Sequence, residues 1–407
     1  MQDELSAPAV PASVGQRVAR QRRLCGLTQA QLAARAAVEV SLLGQVERGL
    51  ALASPALVAA VARALGVEVA SVYGQPYPPP ITDPDADHAG IPALRAALGH
   101  EQDPDPDCPP STPTELRARL DACEQHRAAG CYRQLTIALP EVLARAYALA
   151  HQARDAGAAK TAWALVTDAC LLALAAAYRF GYLDLALLCG QHARPAAGQA
   201  ADPLRVALCD YQRAGLRRYR GDYYGALLAL ERAHLRLAEQ TSPAADALRV
   251  ALHLREAIIH ARLGTPTRAH QHLDRAADLL ARGLPPSPRY GIAATATTLD
   301  IHHVAVAVEL DDPDTALARA EQIKIPTGES AAVVGRYWID LARAHTLRAD
   351  PTPALHALHQ ARHTAPQLAR YHSQVHQIVH LLTETARRDP DTLPGFARWA
   401  GLTPGSP

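Results

Sequence analysis

The chain has 407 residues, 49% of them hydrophobic and only 4% aromatic. That length predicts two or three domains, and a chain rich in Ala and Leu but sparse in β-branched residues is expected to be all-α rather than a β-sandwich or barrel. A net charge of +1, from 41 basic and 40 acidic residues, excludes a uniformly basic nucleic-acid coat.

The composition is skewed in one direction. Asn is absent, and Lys160 and Lys324 are the only lysines, so 39 of the 41 basic residues are Arg. Residues with AT-rich codons are depleted, which points to a GC-rich genome of the actinobacterial kind. Cys25, Cys108, Cys123, Cys131, Cys170, Cys189 and Cys209 are odd in number and form no CxxC pair. Residues 1–10 lack the basic start and apolar core of a signal peptide. The longest apolar run, Ala169 to Tyr178, is too short to cross a bilayer. A reduced, cytoplasmic protein with no membrane association is expected.

Five short helices are predicted first, over residues 13–75. Ser13 caps a helix carrying Val14, Val18 and Leu24, which Gly26 ends. Thr28 caps Gln29–Ala36, and Ser41–Arg48 follows, stopped by Gly49. Pro55–Leu65, closed by Gly66, and Val69–Tyr73 complete the set. Seven arginines against three glutamates give Ser13 to Gln75 a charge of +4.

Gly26-Leu27-Thr28-Gln29, Gln31-Leu32-Ala33, Glu47-Arg48-Gly49 and Ala64-Leu65-Gly66-Val67 make this stretch resemble the phage-repressor (Xre-type) helix-turn-helix family. The resemblance implies double-stranded DNA as a partner, with the third helix in the major groove. Gln29 then clamps a phosphate at a helix N-terminus. Glu39 stands at the entry of the recognition helix, and Val40, Ser41 and Gln45 fall at base-reading positions. Arg48 and Arg17 complete the DNA-contacting set, with Arg20, Arg22 and Arg23 as further phosphate partners. Three departures stand out, one being that Glu39 is acidic where phosphates would be near. Ala37 replaces the usual turn glycine, and Gly44 inside the recognition helix costs about 1 kcal/mol of helix propensity.

Residues 76–113 read as a linker. They hold 11 of the 31 prolines and seven acidic residues against Arg95, for a charge of −6. Proline and like-charge repulsion favour an extended tether, with a short helix at Ile91–Leu98. Such a tether would compete with DNA for the basic head.

Residues 114–388 show apolar stripes at helical spacing, cut by turn signals. Trp338, Leu341, Ala342, Ala349, Ala354, Leu358, Ala361 and Pro366 resemble a tetratricopeptide repeat. The frame recurs. A break residue (Gly181, Gly221, Gly264, Asp311, Ala349) precedes a packing alanine (Ala186, Ala226, Ala269, Ala316, Ala354) by five positions. Those alanines are spaced by 40, 43, 47 and 38, longer than the usual repeat. Five or six hairpins in a right-handed superhelix are expected, with Gly130-Cys131-Tyr132 marking a diverged early unit. A last helix from Leu368 to Arg387 would cap the array, and residues 389–407 would form a tail. The first helix of each pair lines a groove. This predicts a lining of Tyr178, Arg179, Tyr211, Arg218, Tyr219, Arg262, Arg336 and Arg343, with Glu309 as an acidic exception. Arg and Tyr suit a ligand with an acidic group, such as a peptide or small molecule, or a protein partner.

No GxSxG, GxGxxG or P-loop occurs, so no enzyme is expected. His356, His359 and His363, and His372, His376 and His380, lie at helical spacing but read as surface filler; no metal or cofactor is predicted. The joined resemblances imply a homodimeric, signal-sensing transcriptional regulator. The alternative is a tetratricopeptide-type interaction scaffold with a degenerate head. Peptide-sensing relatives rely on groove asparagines, which this chain lacks, so Gln, Arg and Tyr would have to take their place.

Overall fold

The computed structural model describes residues 12–77, 87–104, 107–284, 292, 294–385 and 393–402. Among them every element is helical, as expected for an all-α chain.

The head is built from α1 (Val14–Leu24), α2 (Gln29–Ala36), α3 (Val40–Glu47), α4 (Pro55–Leu65) and α5 (Val69–Tyr73). Ser13 with Gln16, and Thr28 with Gln31, form reciprocal caps on α1 and α2. Val18, Leu32, Leu43 and Val58 are fully buried at its centre. Gly15 sets how closely α1 approaches α3, because a Cβ there would lie 1.9 Å from the Val46 carbonyl oxygen. Ala37 takes the left-handed conformation at φ 53° that the missing turn glycine would have adopted freely.

The expected extended linker is corrected in its second half. Residues 87–104 carry α6 (Ile91–Leu98), whose Ile91, Leu94 and Leu98 are buried in the main core. His88 packs among Phe180, Tyr182 and Tyr371, while Asp87 accepts from Tyr371 and Gln367. Apolar burial thus outweighs the charge repulsion on which the tether reading rested. Asp83, Asp85 and Asp105 lie outside the described residues.

Six hairpins follow. They pair α7 (Pro113–Ala128) with α8 (Tyr132–Gln152), α9 (Ala156–Arg179) with α10 (Leu183–Gln199), and α11 (Pro203–Tyr219) with α12 (Tyr223–Leu237). They continue as α13 (Pro243–Arg262) with α14 (Pro266–Leu280), α15 (Ala296–Glu309) with α16 (Pro313–Ala320), and α17 (Ala331–Leu347) with α18 (Pro351–Thr364). All five predicted break residues adopt positive φ, and all five packing alanines are fully buried. Each break therefore turns the chain so that a residue without a long side chain meets the preceding helix.

The array closes on itself. Ser330 Oγ donates to the Ala128 carbonyl at 2.9 Å, the Arg133 N–H donates to Gln367 Oε1 at 2.9 Å, and α7 packs on α17. The predicted single cap helix is broken into α19 (Pro366–Arg370) and α20 (Ser373–Thr385), with Tyr371 buried at the break. The predicted tail contains α21 (Leu393–Trp399), whose Phe396 is fully buried and whose Trp399 faces the Arg362 guanidinium. By length and mean hydropathy of 1.5, α9 could cross a bilayer, but 72% of that window is buried inside the fold.

The head sits on the ends of the ring helices. Arg63 donates to the Gly221 carbonyl at 3.0 Å, Arg220 pairs with Glu68 at 2.9 Å, and the Ala53 N–H donates to Gln377 Oε1 at 3.2 Å. Gly221 is required twice over: its φ is +75°, and a Cβ there would lie 2.3 Å from that of Ala59.

Candidate DNA-reading face and charged cavity

In the head, Val40, Ser41 and Gln45 are exposed on one side of α3, while Leu43 and Val46 point inward. Leu42 is partly exposed beside them, at 37%. Glu39 is the exposed N-cap of α3 but makes no capping bond; its carboxylate lies 3.5 Å from Ser41 Oγ. Arg48 is exposed at the C-terminal end of the same helix.

Gln29 is differently placed from the expected free clamp. Its amide donates to Glu47 Oε2 at 2.8 Å, and Arg22 grips the same carboxylate at 2.7 and 2.8 Å. Burial would raise the Glu47 carboxyl, but the bonds from Arg22 and Gln29 hold it below its ordinary range. A Cβ at Gly44 would meet Gln29 Oε1 at 3.6 Å, an ordinary contact distance, so this arrangement does not depend on the glycine. Arg22 is therefore a buried structural residue rather than a phosphate partner. Arg17 is corrected in the same way: its guanidinium donates to the Tyr73 carbonyl at 3.0 Å, closing α1 onto α5.

The ring encloses a cavity of about 920 Å³. Of the predicted lining, Tyr178, Arg179, Tyr211, Arg218 and Arg336 face it. Tyr219, Arg262 and Arg343 do not. Tyr219 packs against Tyr73 and hydrogen-bonds Gln75 of the head. Arg262 and Arg343 both bind Glu309 Oε1, at 2.7 and 3.2 Å, with side chains 5%, 5% and 3% exposed.

A two-turn period explains this sorting. Residues seven apart lie on one helix face, about 10 Å apart along the axis. Arg255 precedes Arg262, His302 precedes Glu309, and Arg336 precedes Arg343 by that interval. The earlier member of each pair lines the cavity, and the later one lies outside that lining, in the Glu309 network. Arg255 and His302 were missed by sequence reasoning, although stepping back seven residues along each stripe would have found them.

Six arginines and four carboxylates line the cavity, an excess of positive charge. Arg336 is paired with Asp340 at 3.2 Å, Arg117 with Asp168 at 2.8 Å and Arg127 with Glu124 at 2.7 Å. Among the described residues, Arg179, Arg218 and Arg255 have no carboxylate partner. Arg255 instead lies over the Tyr211 ring, 3.4 Å from its centroid. Burial, then the neighbouring Arg262, pushes the Arg218 guanidinium down to about 10. Burial alone would raise the Tyr178 phenol, but Arg218 and Arg179 hold it below its ordinary value.

The two histidine stripes are not uniform surface filler. Burial pushes His376 down to about 3, and its ring stacks on Tyr77 with centroids 3.8 Å apart. His372 is held neutral by burial and by Arg336, whose Nη1 lies 3.0 Å from its Nε2. His356 and His363 are exposed.

The comparisons with known proteins bear on the head. None of the curated proteins matches the chain. A crystal structure of Bacillus thuringiensis PlcR in complex with the peptide PapR7 and DNA aligns over 86% of this chain and 94% of that one, at 13% identity and a TM-score of 0.29. A likeness at that level assigns no residue a role. The helix-turn-helix domain family matches residues 13–72, so the N-terminal part of the chain is a helix-turn-helix domain.

Proposed function

We propose that the chain is a DNA-binding transcriptional regulator of the Xre type, whose tetratricopeptide-like ring receives an anionic signal. The observation that carries the DNA reading is the exposure of Val40, Ser41 and Gln45 on α3 of a matched helix-turn-helix domain. Gln pairs with adenine edges, Ser with several bases, and Val with a thymine methyl. The signal reading rests on Arg179, Arg218 and Arg255, three cavity guanidinium groups without carboxylate partners. A cavity of about 920 Å³ lies within the size range of small-molecule sites, roughly 300–1,000 Å³. Carboxylate or phosphate compounds, including short acidic peptides, fit its charge. Seven free cysteines, four of them buried, support a cytoplasmic setting.

Homodimerisation belongs to the same proposal, because paired heads read paired half-sites. The test is selection from a random DNA pool by the full-length protein. Enrichment of an inverted repeat is expected; weak, sequence-independent binding abolished by salt would overturn the reading. A second reading, a protein-interaction scaffold, draws support from Gln29, whose clamp amide is engaged by Glu47, and from the acidic Glu39 at the head of α3.

A further inference from the structure

Away from the cavity lining, three consecutive helices bring four metal-binding side chains together. Glu256 lies on α13 with its side chain 9% exposed. Its Oε2 is 2.9 Å from Nδ1 of His253, one turn earlier on the same helix. It is also 3.2 Å from His234 Nε2 on α12 and 2.9 Å from His272 Nδ1 on α14. His253 Nδ1 and His272 Nδ1 face each other at 3.2 Å. Ligand atoms of His234, His253 and Glu256 all lie within 4.8 Å of one another.

Three ring nitrogens converge on one carboxylate oxygen. As N–H donors they share that oxygen; as deprotonated lone-pair donors they would point at a cation beside it. In a tetrahedral site with metal–ligand bonds of about 2.0–2.1 Å, neighbouring ligand atoms lie roughly 3.3–3.4 Å apart. Four of the six edges, at 2.9, 2.9, 3.2 and 3.2 Å, are close to that value, and the edge between His234 and His253 lies within 4.8 Å. We propose that His234, His253 and Glu256 form a binding site for a divalent transition metal of the zinc type, which His272, beside His253 and Glu256, completes as a fourth ligand by a side-chain adjustment.

Three imidazoles and one carboxylate form a nitrogen–oxygen donor set suited to zinc, cobalt or nickel rather than to calcium or magnesium. His260 supports the site, stacking on His272 with centroids 5.2 Å apart and anchoring its own Nδ1 on Thr265 Oγ1 at 3.0 Å. The bound ion ties α12 of one hairpin to α13 and α14 of the next. It thereby fixes the setting of α13, which also carries Arg255 and Arg262. Sequence analysis looked for histidines along single helices. His234, His253 and His272 are instead spaced by 19 residues, one on each of three successive helices.

The test uses tag-free, full-length protein stripped with EDTA and titrated with Zn²⁺ by calorimetry. Co²⁺ absorption spectra report the coordination geometry. One equivalent of Zn²⁺ should bind, with a higher thermal midpoint and a tetrahedral Co²⁺ spectrum. Glu256→Gln and His253→Ala should weaken binding by about tenfold or more. His356→Gln with His363→Gln, on the exposed face of α18, should leave it unchanged. Should His253→Ala fail to fold by circular dichroism, His234→Gln at the more exposed rim of the cluster gives the same readout. Absence of Zn²⁺ binding, or binding that Glu256→Gln and His234→Gln leave at wild-type strength, would overturn the proposal.

Discussion

Two groups of arginines on the inner helices behave in opposite ways. Arg262 and Arg343 converge on the Glu309 carboxylate, with side chains at most 5% exposed. Arg218 on α11, and Arg255 two turns before Arg262 on α13, line the cavity yet have no carboxylate partner among the described residues. The closed group matches its charges inside the fold, whereas the open group leaves positive charge at the cavity without a carboxylate, where the proposed anionic ligand would bind. The head repeats the contrast. Gln29, Arg22 and Glu47 bind one another, while Ser41 and Gln45 remain exposed on the adjoining helix face. In both regions a closed polar network positions an open polar surface.

The comparison breaks most severely at Glu309. Removing its charge strands the buried Arg262 guanidinium and leaves Arg343 only Asp340, at 3.4 Å, so Glu309→Gln should destabilise the chain by about 3–5 kcal/mol in denaturant unfolding. Burial opposes ionisation of Glu309, but Arg262 and Arg343 outweigh it and hold the carboxyl well below the usual range. A depressed carboxyl stabilises the fold fully above its unfolded value, near 4.3, and that contribution is lost as pH falls towards the folded value. The wild type should therefore lose stability progressively below about pH 4, and Glu309→Gln should flatten that slope.

A smaller effect sharpens the contrast in the head. Gln45→Ala should relax discrimination at one base position by about 1–3 kcal/mol, measured as affinities for matched and mismatched duplexes. Its unfolding curve should not move, because Gln45 is exposed. A uniform loss across all sequences would instead assign Gln45 to a phosphate contact. The smallest change leaves both polar surfaces untouched. Ala37→Gly relieves the left-handed strain at φ 53° and should stabilise the head by about 0.5 kcal/mol, with base preference unchanged.

The hairpin frame was legible because each turn needs a residue tolerant of positive φ followed, five positions later, by a small packing residue. Asp311 and Ala349 kept that grammar even without glycine, at φ 62° and 59°. The family resemblance also picked out Val40, Ser41 and Gln45, which lie exposed on α3. It could not separate the cavity from the Glu309 network, since residues seven apart share a face and only ring closure decides which of them stays open. Nor could charge counting foresee that residues 87–104 fold onto the ring, because the burial of Ile91, Leu94 and Leu98 depends on partners far along the chain. The cluster around Glu256 escaped for the same reason, as its histidines become neighbours only through hairpin packing.

The distinction between closed and open arginines is tested most directly by the unfolding free energy of Arg218→Met in chloride buffer, without added carboxylate or phosphate. Arg218 lines the cavity and has no carboxylate partner, so exchanging it for an apolar side chain of similar length removes a desolvated charge and breaks no ion pair. The variant should be as stable as the wild type or more so, the opposite of Glu309→Gln. A loss of stability comparable to that of Glu309→Gln would show that Arg218 belongs to the ring's structural network, and would contradict an open cavity awaiting an anion.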